Sequence, residues 1–116
     1  MPNDINISVA DFGARSVMHV TGDVNWRTSP DVRTALLDLF ENRRRESVVL
    51  DLQDVRRIDS SGVSSLIEVW HAAKECDARL ILSGLNELPR RVLAQAGLES
   101  VFEIGDSVEE ALARRA

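Results

Sequence analysis

Two short segments, Val48-Val49-Leu50-Asp51-Leu52 and Leu80-Ile81-Leu82, are apolar almost without interruption. A strand with one wet face alternates apolar and polar residues. A run without that alternation suits a strand covered on both faces, the usual environment of a parallel sheet flanked by helices. Parallel neighbours need a crossover between them, so the residues separating the two runs should include a helix. They do: residues 61–75 place Val63, Ile67, Trp70 and Ala73 or Lys74 at helical spacing, which puts Trp70 in the expected core.

The remaining elements follow from local signals. Ile5, Ile7 and Val9 alternate with Asn6 and Ser8, as in a strand with one solvated face. A short turn at Asp11–Ala14 leads to a second strand, Arg15–Thr21, so these two should pair antiparallel. Ser29-Pro30-Asp31 reads as a helix start, with Ser29 as cap, and Val32, Leu36, Leu39 and Phe40 form the apolar stripe of a helix over about 30–42. Asn86 is placed to cap a helix over 87–95, ended by Gly97. A strand at Ser100–Phe102 and a last helix over 107–114, opened by an Asp106/Glu109 capping box, complete the order ββαβαβαβα. The expected fold is a small α/β domain over residues 1–116, with a mixed, mostly parallel sheet, an antiparallel N-terminal strand and about four helices.

Composition narrows the function classes. Nineteen acids against fourteen bases leave a net charge of -5, which argues against a surface built for nucleic acid. No apolar run nears the ~18 residues of a membrane span, and the start, MPNDINISVA, shows neither a basic leader nor an apolar stretch. Direct membrane insertion is not expected, and a cytoplasmic location is. The lone Cys76 forms no internal disulfide and no cysteine zinc cluster. Walker A, Gly-x-Gly-x-x-Gly and His-Glu-x-x-His motifs are all missing, so no cofactor or metal is expected.

The segment Asp51–Val63 is the most unusual, running from a buried strand through a loop into the second helix. Asp59, Ser60 and Ser61 are all good cap residues, and Gly62 permits close approach of another segment. One reading is a well-capped helix. The sharper one is a hydroxyl at a helix N-terminus offered as a phosphoryl acceptor, because two serines exceed what one cap needs. A nucleophilic serine would need a base, but His19 falls mid-strand and His71 lies about ten residues along the helix, or ~15 Å from Ser60. A phosphoacceptor-aspartate receiver is disfavoured too, since the single lysine, Lys74, lies inside a helix. Asp51 is expected to end its strand and bond loop amides. Arg43-Arg44-Arg45 reads as a solvated helix end, while Arg56-Arg57 and Arg90-Arg91 could form a basic face near the serine loop. Trp26, in the polar loop Gly22–Ser29, either folds back or meets a partner.

At Asp59-Ser60-Ser61-Gly62-Val63 the chain resembles the STAS domain family, and within it the bacterial anti-sigma-factor antagonists. Gly22-Asp23-Val24 is similar to that family's turn before the first helix, Val49-Leu50-Asp51-Leu52 with Val55 and Ile58-Asp59-Ser60 to its strand-loop-phosphosite block, and Ala96-Gly97-Leu98 with Val101-Phe102-Glu103-Ile104 to its C-terminal segment. The resemblance implies a non-enzymatic binding module. It would dock on an anti-sigma factor that is also a serine kinase, be released by phosphorylation at Ser60, and be reset by a serine phosphatase. Asp59, Ser61 and Gly62 would shape the acceptor loop, and Asp23, Asn25 and Trp26 would face the partner. Where the family has an aspartate after Gly-Asp-Val, this chain has Asn25, one charge fewer in the interface region. The alternative from another class is a cytoplasmic STAS subunit of a lipid ABC transporter, which has the same fold and no phosphorylation cycle.

Overall fold

A computed structural model describes residues 5–114; residues 1–4, which open the segment read above as lacking a leader, lie outside it. The elements follow in the order β1 (Asn6–Phe12), β2 (Arg15–Thr21), α1 (Ser29–Leu37), β3 (Ser47–Asp54), α2 (Ser60–Glu75), β4 (Arg79–Ser83), α3 (Glu87–Gln95), β5 (Glu103–Gly105) and α4 (Val108–Ala113). The strands form one sheet ordered β1-β2-β3-β4-β5, antiparallel between β1 and β2 and parallel elsewhere. The expected ββαβαβαβα order and mixed sheet are therefore found.

The two uninterrupted runs are indeed covered on both faces. Val48, Leu50, Leu52, Leu80 and Leu82 join Met18 and Val20 in the main core, closed by Val32 and Leu36 of α1, Leu66 and Val69 of α2, and Leu93 of α3. On the other face Val17, Val49 and Ile81 meet Ala111 of α4. α4 is short, but Ser47, Asp51 and Ser83 towards the strand ends are buried as well, and only Gln53 and Asp54 at the end of β3 are exposed.

Several local expectations are corrected. Val63 and Ala73 of the expected stripe do face the core, together with Leu66 and Val69, but Ile67 and Trp70 are only half-buried against it, the Trp70 ring crossed by Lys74 Nζ at 4.4 Å and edged by His71. β1 is an edge strand with both faces largely exposed, and the buried Ile5 precedes it. α1 stops at Leu37 and widens into a π-helical turn over Asp38–Asn42, which still buries Leu39 and Phe40. The cap of α1 is Thr28, and Ser29 is its first helical residue. The last strand lies at Glu103–Gly105, three residues beyond the expected one, since Val101 and Phe102 turn back onto Leu98. The final capping box is also shifted by one: Ser107 Oγ accepts from Glu110 N, and Glu110 Oε1 accepts from Asp106 N. Arg43 and Arg45 are not merely solvated, because Arg43 pairs with Asp11 at 2.6 Å and Arg45 donates to Ser16 Oγ and to the Gly13 and Arg15 carbonyls, gripping the β1–β2 hairpin. Gly97 ends α3 as expected: at φ +73° it closes a Schellman motif, with Leu98 N on Leu93 O and Gly97 N on Ala94 O.

Candidate functional site at the start of helix α2

Asp59 organises the site. Its extended backbone ends the β3–α2 loop, and its carboxylate works in two directions. Oδ1 accepts from Gly62 N at 3.0 Å, capping α2, and Oδ2 accepts from Trp26 N at 3.2 Å, tying the loop after β2 to the helix start. Backbone bonds run alongside, from Val24 N to Arg57 O at 3.0 Å and from Asp59 N to Val24 O at 3.1 Å. The two loops therefore behave like one added rung of parallel sheet, with Val24 bridged to Ile58.

Gly62 is required by that rung. A Cβ there would sit 2.7 Å from Ile58 Cγ2 and 2.9 Å from Val24 Cγ1, so the clearance it provides is for its own chain.

The Gly22–Thr28 loop holds itself in shape. Asn25 Oδ1 accepts from Arg27 N at 2.9 Å and Thr28 N at 3.2 Å, while Thr28 Oγ1 accepts from Asn25 N and donates to Asp23 O. This occupies the Thr28 hydroxyl, which accordingly makes no cap bond to α1. In these bonds the Asn25 side chain uses only its carbonyl oxygen, as acceptor, a task an aspartate would perform equally. Trp26 projects from the turn at 71% exposure and does not fold back.

Ser60 is exposed at the first turn of α2, and among the described residues its hydroxyl has no hydrogen-bond partner. Ser61 beside it is half-buried. Next to them a groove of about 440 Å3 is lined by Val24, Ile58, Asp59 and Arg57, and closed on the α3 side by Leu88 and Val92. Asp23, Asn25 and Asp59 thus line one groove; Trp26 is tied to Asp59, and Ser60, Ser61 and Gly62 continue from it along α2. Leu88 and Val92 were missed from the sequence, although their i, i+4 spacing on α3, away from the buried Leu93, was a usable signal. Of the expected basic face, Arg57 lines the groove, whereas Arg91 is paired with Glu87 at 2.5 Å.

A second polar cluster also escaped notice. His19 Nδ1 lies 2.8 Å from Asp51 Oδ2 and Nε2 lies 3.0 Å from Asp54 Oδ2. Asp51 sits within β3 rather than at its end, and the amide it accepts, Gln53 N, belongs to the same strand and not to a loop. Among the described residues no group of His, Cys, Asp and Glu side chains could hold a metal ion, and no helix is long and apolar enough to cross a membrane.

A mixed sheet entered by one antiparallel hairpin, with an exposed hydroxyl opening its second helix, defines the class. The STAS domain model matches residues 6–111, and the chain belongs to the STAS domain family. It is 26% identical over 104 residues to an anti-sigma-B factor antagonist of Listeria monocytogenes, covering 86% of this chain and 90% of that one. Its fold superposes on the crystal structure of an anti-sigma factor antagonist from Mycobacterium paratuberculosis with a TM-score of 0.84, at 22% identity over 97% of this chain and 94% of that one. It is similar as well to the Bacillus cell fate determinant SpoIIAA in its phosphorylated form, with a TM-score of 0.71 and 17% identity over 92% of this chain and 96% of that one.

Proposed function

We propose that this chain is an anti-sigma-factor antagonist that acts in the cytoplasm as a phosphorylation-controlled binding switch. The observation that carries the reading is the state of Ser60: an exposed hydroxyl with no partner among the described residues, at a helix N-terminus, beside a groove bounded by apolar side chains. The relatives' names support the antagonist role, and a phosphorylated structure of the same fold supports the switch. Unphosphorylated, the groove and the Trp26 loop dock on an anti-sigma factor that is also a serine kinase. Phosphorylation of Ser60 then adds about -1.5 to -2 charges to that contact, which disfavours a desolvated interface. The folded domain tolerates the charge because the N-terminal amides of α2 favour an anion. A serine phosphatase restores the binding form. The chain itself performs no chemistry on this reading, since His19 is engaged by two carboxylates and His71 lies three turns along α2.

The test is to incubate the protein with its anti-sigma kinase and ATP, locate the modification by mass spectrometry and follow complex formation by size exclusion. Phosphate on Ser60 with loss of the complex is expected. Ser60→Ala should remain bound in the presence of ATP, and Ser60→Asp should bind more weakly. Phosphate on Ser61 alone would move the acceptor by one residue. No phosphate at all, with a transporter ATPase recovered from the native cell, would replace this reading by the transporter-subunit one.

A further inference from the structure

We propose that His19 is a positioning residue for the Ser60 surface: its imidazolium, donating from Nδ1 to Asp51 and from Nε2 to Asp54, clamps the strand ends from which both loops of that surface depart, and its deprotonation loosens them. The inference concerns the isolated chain and holds whether or not Ser60 is ever phosphorylated.

The clamp depends on an irregularity in the sheet. His19 and Asp51 are register partners and so share the α4 face. In a regular strand Asp54, three residues on, would point to the opposite face. Instead β2 advances two residues, from His19 to Thr21, while β3 advances three, from Asp51 to Asp54. The extra residue is a bulge, and it returns Asp54 to the imidazole. A neutral imidazole has one donor and one acceptor nitrogen, so it would turn a lone pair towards one of these carboxylates. Only the doubly protonated ring satisfies both.

What the clamp holds is the base of the site. Gly22, which opens the Trp26 loop, donates its N–H to Asp54 O at 3.2 Å. Asp54 is also the last residue of β3, from which the 55–59 loop runs to Ser60. From the other side Asn86 Nδ2 donates to Gln53 O and Val55 O, so the start of α3 is fastened to the same strand end. Among the described residues, His19 is therefore the titratable side chain that ties β2 to β3 where both site loops leave the sheet.

The surrounding charges favour the imidazolium. From β1 the residue opposite His19 is the uncharged Ser8. From β3 come Asp51 and Asp54, and from the α4 side Asp106 and Glu109 line the same cleft of about 290 Å3 as Asp51. The hydrogen bond to Asp51 is the largest influence, opposed by partial burial and reinforced by the two negative charges, and it holds His19 above the ordinary value of 6.5. With the folded value raised, the clamp contributes fully below pH 6.5 and is lost as pH rises through His19's own value.

The experiment is NMR of the free protein from pH ~6 to ~9, reading the imidazole nitrogen shifts of His19 and the amide protection factors of Gly22, Val24 and Asp59. Protection factors remove the intrinsic pH dependence of exchange. The expected result is a ring that titrates above the ordinary value of 6.5, and a several-fold loss of loop protection sharing the ring's midpoint. Asp54→Asn, a change at a half-exposed side chain, should lower that midpoint. His19→Gln should abolish the pH step while the core amides of Val49 and Leu82 stay protected. A ring titrating at or below 6.5, or loop protection indifferent to its titration, would overturn the proposal; so would a pH step that persists in Asp54→Asn at the unaltered midpoint.

Discussion

Val24 lies against Gly62 with no room for a methyl group between them: a Cβ on Gly62 would stand 2.9 Å from Val24 Cγ1 and 3.0 Å from the Val24 carbonyl oxygen. Alanine is the better helix former by ~1 kcal/mol, yet the atoms it would meet are buried side chains and a backbone carbonyl that pairs with Asp59 N. The clash wins. Gly62→Ala should destabilise the domain by about 1–2 kcal/mol in urea unfolding and shift the amide resonances of Val24 and Asp59. Unchanged stability would mean that the two loops do not hold each other as described.

Asp59 connects helix cap and partner loop, and two substitutions separate these roles. Asp59→Ala removes both acceptors and should cost about 1 kcal/mol, the usual scale for a lost N-cap. Asp59→Asn keeps one oxygen for Gly62 N but turns an amide NH2 towards Trp26 N. It should recover most of the stability while leaving the Trp26 amide unprotected. Hydrogen exchange at Gly62 and Trp26 measures the two effects independently, and equal protection of Trp26 in Asp59→Asn and wild type would remove the tether.

An acid limb of stability should come from β5. Burial works against ionisation of Glu103, but hydrogen bonds from Arg79 and Arg114 outweigh it and hold the carboxyl below its ordinary value of 4.5. With a depressed folded value, this stabilisation is complete above pH 4.5 and is lost as pH falls through Glu103's own value. The stability difference between wild type and Glu103→Gln, followed by denaturant unfolding across that range, should be constant above it and shrink below. A difference that grows on acidification would reverse the assignment.

The parts legible in the sequence were those where one short segment carries its whole signal. The runs at 48–52 and 80–82 can be buried on both faces only as inner parallel strands, and Gly97 announced the end of α3. Asp59-Ser60-Ser61-Gly62 could be located because capping chemistry is local. Non-local pairings were not legible. That Gly62 makes room for Val24 follows from Val24 and Ile58, 34 residues apart, meeting as a sheet rung. The His19 clamp needs a bulge, and a bulge shows in register rather than composition. The displaced β5 has the same origin: Val101 and Phe102 are good strand residues, but Phe102 is buried in the turn after α3, so the short strand forms on Glu103-Ile104-Gly105 beside Ile81 and Ser83.

Trp70 shows how a spacing argument fails at the margin of a helix face. Positions 63, 67 and 70 lie near one line, but the centre of the core face runs through 66, 69 and 73, so that Val63 is still buried while Ile67 and Trp70 fall at its margin. The indole is therefore a half-buried lid that gains from Lys74 Nζ, a contact worth ~0.5–1 kcal/mol. Trp70→Ala should cost about 1–2 kcal/mol, less than the ~3–5 kcal/mol of a fully buried aromatic such as Phe40. Thermal unfolding of Trp70→Ala and Phe40→Ala under one set of conditions gives the comparison, and equal losses would put Trp70 back in the core.

Trp26 is the residue on which partner docking is expected to depend most. An indole at 71% exposure leaves a large apolar surface in water, and the loop beneath it is braced by Asn25, Thr28 and Asp59 rather than by the ring. The ring is thus dispensable for folding. Aromatic anchors of this kind, presented on a rigid turn next to a groove with apolar walls at Leu88 and Val92, lose little conformational entropy on binding and often dominate an interface. Trp26→Ala should keep the wild-type melting temperature and weaken the complex with the anti-sigma factor by more than about 1 kcal/mol, at least several-fold in Kd. Leu88→Ala, at 45% exposure on the opposite wall, should weaken it less. Calorimetric titration of the two variants against the partner separates the outcomes: a well-folded Trp26→Ala that binds like wild type, with Leu88→Ala impaired, would leave the groove in the interface and take the loop out of it.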